Sequence, residues 1–145
     1  MEAFLLWPPI HEGTPLSATV APRRSGGRSA LVVEDDPGVR GMIAGMLEDE
    51  GLAVDAAPNG AVALSCAAAH WPDVLVMDMG VPAPGGARLV AALRASFGKV
   101  PPIVLVTADG EAARKARQIG AVRHLRKPFD MDDLLGAVRE SLATT

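Results

Sequence analysis

The sequence predicts a single α/β domain built on a parallel β-sheet. Its 145 residues are 49% hydrophobic, which suits one globular domain with an ordinary core. From residue 29 onward, short apolar runs alternate with amphipathic stretches, and this alternation is typical of successive βα units. One predicted strand, Asp73–Met77, ends in four consecutive apolar residues, as expected for a central strand covered on both faces.

The first strand and helix are marked by local signals. The run Ala30–Val33 predicts the strand, and Glu34, Asp35 and Asp36 follow it directly. Asp36 followed by Pro37 indicates a helix start, with a cap residue and then a first-turn proline. Apolar side chains at helical spacing over Val39–Leu47 then predict an amphipathic helix, which Gly51 ends.

The remaining elements follow the same alternation of strand and helix. Asn59–Gly60 predicts the turn into the second helix, and a stripe of apolar residues from Met131 to Leu142 predicts the core face of the last one. In chain order the predicted elements are a strand at Leu52–Ala56, a helix through His70, a strand at Asp73–Met77, a helix at Ala87–Ser96, a strand at Pro102–Val106, a helix at Glu111–Ile119, a strand at Val122–Leu125 and the last helix.

Residues 1–28 are predicted to be a disordered tail, and residues 29–145 the domain. The tail is rich in proline and glycine and has no helical or strand period. Its apolar stretch Ala3–Trp7 is too short for a membrane span or a signal peptide, so we expect neither export nor membrane insertion. The single cysteine, Cys66, excludes an internal disulfide framework and fits a reducing compartment. We therefore expect a cytoplasmic protein in which Cys66 packs in the core.

The net charge gives no general attraction to polyanions. Lysine and arginine number 14 against 17 acidic residues, a net charge of −3. Neither nucleic acid nor an anionic membrane is therefore an expected partner. The segment around α-helix 4 and strand 5 is locally basic, which favours either a docking face or ordinary solvation. Its cations are Arg114, Lys115, Arg117, Arg123 and Arg126.

Polar residues at the ends of several predicted strands indicate a site. The carboxyl ends of parallel strands share one edge of the sheet, and ligands bind there. That edge collects three carboxylates, one hydroxyl and one ammonium group. Clustered carboxylates repel one another unless a cation joins them, and oxygen ligands select a hard ion such as Mg²⁺. The residues concerned are Glu34, Asp35, Asp78, Thr107 and Lys127.

Four motifs resemble the receiver domain of bacterial two-component response regulators. They are Leu31–Asp36, Asp78–Gly86, Val106–Ala108 and Lys127–Phe129. The resemblance covers residues 29–145. It implies a flavodoxin-like (βα)5 fold with strand order 2-1-3-4-5, and a cis peptide bond between Lys127 and Pro128.

The resemblance also implies a role for each site residue. Asp78 would be the phosphoacceptor, with Lys127 paired to the phosphoryl group. Thr107 would be the switch hydroxyl, and His124 falls at the switch aromatic position. Mg²⁺ would be held by Glu34, Asp35, Asp78 and the carbonyl of Gly80. The chain departs from the usual family pattern at Val81 and Gly85, which shape the loop rather than the chemistry.

The function implied is a phosphorylation-dependent switch in a two-component system or phosphorelay. The phosphoryl donor would be a histidine kinase or a histidine phosphotransfer protein. The output would be a protein contact through helix 4, strand 5 and helix 5, and the only reactions catalysed would be the protein's own Mg²⁺-dependent phosphorylation and dephosphorylation. Two alternatives stay open: a receiver-like binding module that works without phosphorylation, and the receiver fragment of a hybrid histidine kinase.

Two enzyme classes with similar folds fit poorly. Haloacid dehalogenase-type phosphatases need a second aspartate two residues after the nucleophile, where this chain has Gly80. A dinucleotide-binding enzyme would place a glycine-rich motif after the first strand, where this chain has Glu34–Pro37.

Overall fold

The computed structural model describes residues 27–78, 85–108, 110 and 112–143, and these residues form five βα units. The strands are β1 (Ser29–Val33), β2 (Ala53–Ala57), β3 (Val74–Asp78), β4 (Ile103–Thr107) and β5 (Arg123–Arg126). The helices are α1 (Pro37–Asp49), α2 (Gly60–Ala69), α3 (Gly85–Phe97), α4 (Ala112–Ile119) and α5 (Met131–Ala143). The predicted tail lies outside the described residues except for Gly27 and Arg28.

All strand pairs in the sheet are parallel, and the order is β2-β1-β3-β4-β5. The predicted fold class and strand order are therefore confirmed. Asp78 at the end of β3 pairs with Val106, and Thr107 at the end of β4 pairs with Arg126. These registers bring the carboxyl ends of β3, β4 and β5 to one edge of the sheet.

Helices cover both faces of the sheet, as the apolar third strand predicts. On one face, Leu64 of α2, Leu89 of α3 and Ile119 of α4 pack over alternate strand residues. On the other face, Ile43 of α1 and Leu134 of α5 pack over the strand residues between them. Cys66 is buried in the first of these cores, as predicted. Within the described part of the chain, no helix is long and apolar enough to cross a membrane.

The caps of α1 and α2 follow their sequence signals. The Asp36 carboxylate accepts hydrogen bonds from the backbone N–H groups of Gly38 and Val39, at 2.8 and 3.1 Å. Asn59 caps α2 in the same way by accepting from Val62. Gly51, just past α1, has a φ of 93°, which a residue without a Cβ adopts at little cost. Asp36 thus has the capping role that the sequence predicts.

Several element boundaries differ from the prediction by one or two residues. Strands β3 and β4 include Asp78 and Thr107, because backbone pairing continues through these polar residues. Strand β5 begins at Arg123 rather than at Val122, and α3 begins at Gly85 rather than at Ala87. Side-chain polarity marks where a site begins, whereas backbone pairing decides where a strand ends.

Candidate functional site

Three carboxylates meet at the carboxyl edge of the sheet. One oxygen from each of Glu34, Asp35 and Asp78 lies within 4.8 Å of the others. Glu34 follows β1 and is buried, Asp35 is exposed, and Asp78 at the end of β3 is half-buried. The site is therefore open to solvent on the Asp35 side and closed beneath Glu34.

The side chain of Lys127 joins two of these carboxylates. Its Nζ donates to Oε1 of Glu34 at 2.6 Å and to Oδ2 of Asp78 at 2.9 Å. The backbone N–H of Lys127 donates to the carbonyl of Thr107 at 2.9 Å, which fixes the start of the loop against β4. The Lys127–Pro128 bond is cis, as predicted. The contact with Asp78 follows the prediction, and the contact with Glu34 was not predicted.

The pKa of the Glu34 carboxyl group is raised above its ordinary value of 4.5. Burial is the largest cause, since it disfavours the charged form, and the charge of Asp78 acts in the same direction. The ammonium group of Lys127 and the backbone N–H of Asp36, which donates to Oε2 of Glu34 at 3.1 Å, oppose this shift in part. A positive charge next to the Glu34 carboxylate therefore stabilises its ionised form.

The pKa of Lys127 is also raised above its ordinary value. Partial burial alone would lower it, but the hydrogen bonds to Glu34 and Asp78 outweigh that effect. The side chain therefore carries a full positive charge at neutral pH, next to Asp78.

The two predicted switch residues lie on neighbouring strands. Thr107 ends β4 and is buried, with 3% of its surface exposed. His124 lies on β5, where it pairs in register with Leu105, and it is exposed. The remaining predicted ligand, the carbonyl of Gly80, lies outside the described residues.

Arg40 is a residue of this site that the sequence reasoning missed. Its Nη1 donates to the backbone carbonyl of Glu34 at 2.8 Å and to that of Asp35 at 3.4 Å. Arg40 lies in the first turns of α1, and helical side chains point back toward the helix N-terminus. Its position four residues after the Asp36 cap is therefore a signal from which the contact could have been expected.

The donor set fits Mg²⁺. Three carboxylate oxygens from two strand ends face a common point, and oxygen ligands of this kind suit a hard divalent ion. Glu34 is the most buried of the three, so its charge gains most from a cation. Lys127 supplies one positive charge to three acidic groups, which leaves the cluster with a net negative charge at neutral pH.

A doubly wound parallel sheet thus carries an aspartate, a lysine and a buried threonine at its carboxyl edge. The sequence matches a family described as the response regulator receiver domain over residues 30–139. The chain therefore belongs to the response regulator receiver domain family of two-component systems, in which phosphorylation switches the signalling state.

Relatives and solved structures agree with this assignment. The chain is 29% identical to sporulation initiation phosphotransferase F of Bacillus subtilis, over 77% of this chain and 91% of that protein. It is 35% identical to the transcriptional regulatory protein PdtaR of Mycobacterium tuberculosis, over 77% of this chain but only 55% of that protein. Its structure is similar to that of the chemotaxis protein CheY4 of Vibrio cholerae, with a TM-score of 0.72, 30% identity and coverage of 81% and 100% of the two chains.

Proposed function

We propose that Asp78 accepts a phosphoryl group from a histidine kinase or a histidine phosphotransfer protein, and that the chain signals through the resulting change of surface. The observation that carries this proposal is the position of the Lys127 ammonium group, 2.9 Å from the Asp78 carboxylate within an acidic cluster. A lysine held there is placed to pair with phosphoryl oxygens once they are attached to Asp78.

The transfer forms one bond and breaks one. A carboxylate oxygen of Asp78 attacks the phosphorus of a phosphohistidine, and the P–N bond breaks. The electron pair of that bond stays on the imidazole nitrogen, which then takes a proton from solvent. Carboxylates are ionised at neutral pH, so Asp78 needs no general base. The product is an acyl phosphate on Asp78.

Glu34, Asp35, Asp78 and the carbonyl of Gly80 would hold Mg²⁺. When bound there, the ion supplies positive charge that offsets the repulsion between the carboxylates and an incoming phosphoryl group. Lys127 then holds the transferred group from the side of β5, while Thr107 supplies a hydroxyl that can turn toward it.

The signal leaves through protein contacts in this proposal. Movement of Thr107 changes the packing beneath α4 and so alters the face made by α4, β5 and α5, where exposed His124 lies. The protein catalyses only its own phosphorylation and dephosphorylation. We further propose that residues 29–145 form the receiver unit and that it works in the cytoplasm of a bacterium, with the single buried cysteine as support.

Phosphorylation by a small donor tests the proposal. Incubation of the full chain with acetyl phosphate and Mg²⁺ should add one phosphoryl group, seen as a mass increase that hydroxylamine reverses. Asp78→Asn is the test variant, and Asp73→Asn is a matched control, because Asp73 lies at the opposite end of β3 and accepts from the backbone of Ser29. Label that persists in Asp78→Asn, or that forms equally in EDTA, would show the assignment to be wrong.

A further inference from the structure

Charge is distributed very unevenly along the chain. Residues 79–129 carry nine lysines and arginines and two acidic residues, a net charge of +7, and all other residues together carry −10. Among the described residues, this basic stretch forms α3, β4, α4 and β5, which are two of the five helices and two of the five strands. The molecule therefore has a basic half, and the small net charge of the whole chain conceals it.

An open cleft of about 420 Å³ lies in this basic half, between the C-terminal ends of α3 and α4. Apolar side chains and polar groups share its lining, and the apolar side chains include Val122, which is 44% exposed. Its lining includes Arg94, Val100, Pro102, Ile103, Ile119 and Val122. The cleft is large enough for a bulky apolar side chain, and its rim is charged.

Exposed cations border the cleft. Arg94 is part of the lining, Lys99 directly precedes Val100, Arg117 lies two residues before Ile119, and Arg123 directly follows Val122. Arg123 forms an ion pair with Glu140, and Lys99 lies over the ring of Trp71. Arg94 and Arg117 form no ion pair with any residue that the structure describes.

The interactions of Arg94 and Arg117 with their own helices leave most of their positive charge free to attract a partner. Arg94 and Arg117 are in the last turns of their helices, where a cation interacts favourably with the helix dipole. That interaction does not neutralise an exposed guanidinium group, so a positive potential remains around the cleft.

We infer that this cleft, bordered by Arg94 and Arg117, is a docking site for an acidic protein segment that carries one bulky apolar side chain. The apolar side chain enters the cleft beside Val122, and the flanking carboxylates pair with the arginines. Charge complementarity identifies the segment as acidic, and the apolar side chains within the lining favour a peptide over a nucleic acid. A long polyanion such as duplex DNA would also be repelled by the other half of the molecule, which carries −10.

The site lies at the opposite edge of the sheet from Asp78. Ile103 in the lining and Thr107 beside the phosphorylation site are the two ends of β4, about 13 Å apart at ordinary strand rise. The inference goes beyond the proposed function, because docking here requires neither Mg²⁺ nor phosphorylation. A partner held at this site would stay bound in both signalling states.

Fluorescence anisotropy with synthetic peptides tests the inference. The probe is a fluorescein-labelled peptide of aspartate and glutamate with one central phenylalanine. It is compared with the same peptide carrying serine in place of phenylalanine and with a labelled short DNA duplex. The protein is the full chain carrying Asp78→Asn, without Mg²⁺, so that failure of the phosphorylation assignment cannot affect the result. We expect saturable binding of the phenylalanine peptide, weaker binding of the serine peptide and no saturable binding of DNA.

Paired variants locate the binding. The double variant Arg94→Glu with Arg117→Glu should bind the phenylalanine peptide about ten-fold more weakly, or weaker still. Arg88→Glu with Arg126→Glu changes the charge of the same half equally, but neither residue lines the cleft, so its effect should be much smaller. Val122→Ser should reduce the difference in affinity between the phenylalanine peptide and the serine peptide. Thermal unfolding of each variant verifies that it is folded.

Three results would overturn the inference. The first is the absence of saturable binding of the phenylalanine peptide. The second is an equal loss of affinity in both double variants, which would indicate only a general charge effect. The third is binding of the DNA duplex that competes with the peptide and is lost in Arg94→Glu with Arg117→Glu, which would make the surface a nucleic-acid site.

Discussion

The Nζ atom of Lys127 lies 2.9 Å from Oδ2 of Asp78, although the two residues are 49 positions apart in the chain. Their contact depends on the sheet order, which places β3 and β5 on either side of β4, and on the loop that starts at Lys127. The same ammonium group lies 2.6 Å from Oε1 of Glu34. Lys127 therefore connects the strand-end loops of β1, β3 and β5 through a single charge.

Replacing Lys127 with methionine should weaken both phosphorylation and stability. The variant keeps the length of the side chain but leaves the buried Glu34 carboxylate without its ammonium partner, which we expect to cost about 1–3 kcal/mol in the free energy of unfolding. Chemical denaturation measures this cost, and Lys115→Met on α4 is the matched control. The rate of labelling by acetyl phosphate should fall about ten-fold or more. Unchanged labelling in Lys127→Met would contradict the role of Lys127 at the phosphoryl group.

Replacing Arg40 with methionine should lower the affinity for Mg²⁺. Arg40 holds the carbonyl groups of Glu34 and Asp35, so its loss should let the loop that carries two metal ligands move, with about ten-fold weaker binding. Removal of a positive charge alone would strengthen binding of a cation, so the two effects have opposite signs. Isothermal titration calorimetry with Mg²⁺ distinguishes them, with Arg139→Met as the control on α5. Tighter binding in Arg40→Met would show that Arg40 acts through its charge and not by positioning the loop.

The raised pKa of Glu34 predicts a specific dependence of stability on pH. A carboxyl group with a raised pKa in the folded protein stabilises the fold below its ordinary pKa of 4.5, and this contribution is lost as the pH rises through the raised value. The free energy of unfolding of the wild type, relative to that of Glu34→Gln, should therefore decrease between pH 4.5 and the raised pKa of Glu34. Above the raised pKa, the difference should be constant. Denaturation at a series of pH values, without Mg²⁺, measures this difference. Asp133→Asn on α5 serves as the control, and a difference that increases with pH would contradict the direction of the shift.

The fold and most of the site were predictable because their causes are local in the sequence. Asp36 before Pro37 sets the start of α1, and the apolar residues of β3 require helices on both faces. Glu34, Asp78 and Thr107 each follow or end a strand, so parallel pairing alone brings them to one edge. Sequence reasoning did not anticipate the bond from Lys127 to Glu34, because that contact depends on the path of a loop after the edge strand.

The docking cleft shows a different limit of sequence reasoning. The basic residues of α4 and β5 were visible as a cluster, but Arg94 and Val100 lie far from them in the chain and join them only through the packing of α3 beside β4. A surface made by three elements has no single periodic pattern, so the sequence left both docking and ordinary solvation open.

Thr107 and His124 should act as a pair. Thr107 is buried at the end of β4, whereas His124 on neighbouring β5 is exposed. When Thr107 turns toward phosphorylated Asp78, it leaves space beneath α4 that the imidazole ring can fill. Activation should therefore move the His124 ring from solvent into a buried environment and change the face made by α4, β5 and α5.

NMR spectra of the histidine ring protons, recorded with and without beryllofluoride as an acyl-phosphate mimic, measure this coupling. His124→Gln assigns the His124 signals among the three histidines of the chain. We expect beryllofluoride to shift the His124 ring signals. Thr107→Ala should abolish this shift while beryllofluoride still binds at Asp78. Ring signals that stay the same in the wild type on activation would mean that His124 remains exposed in both states and takes no part in the switch.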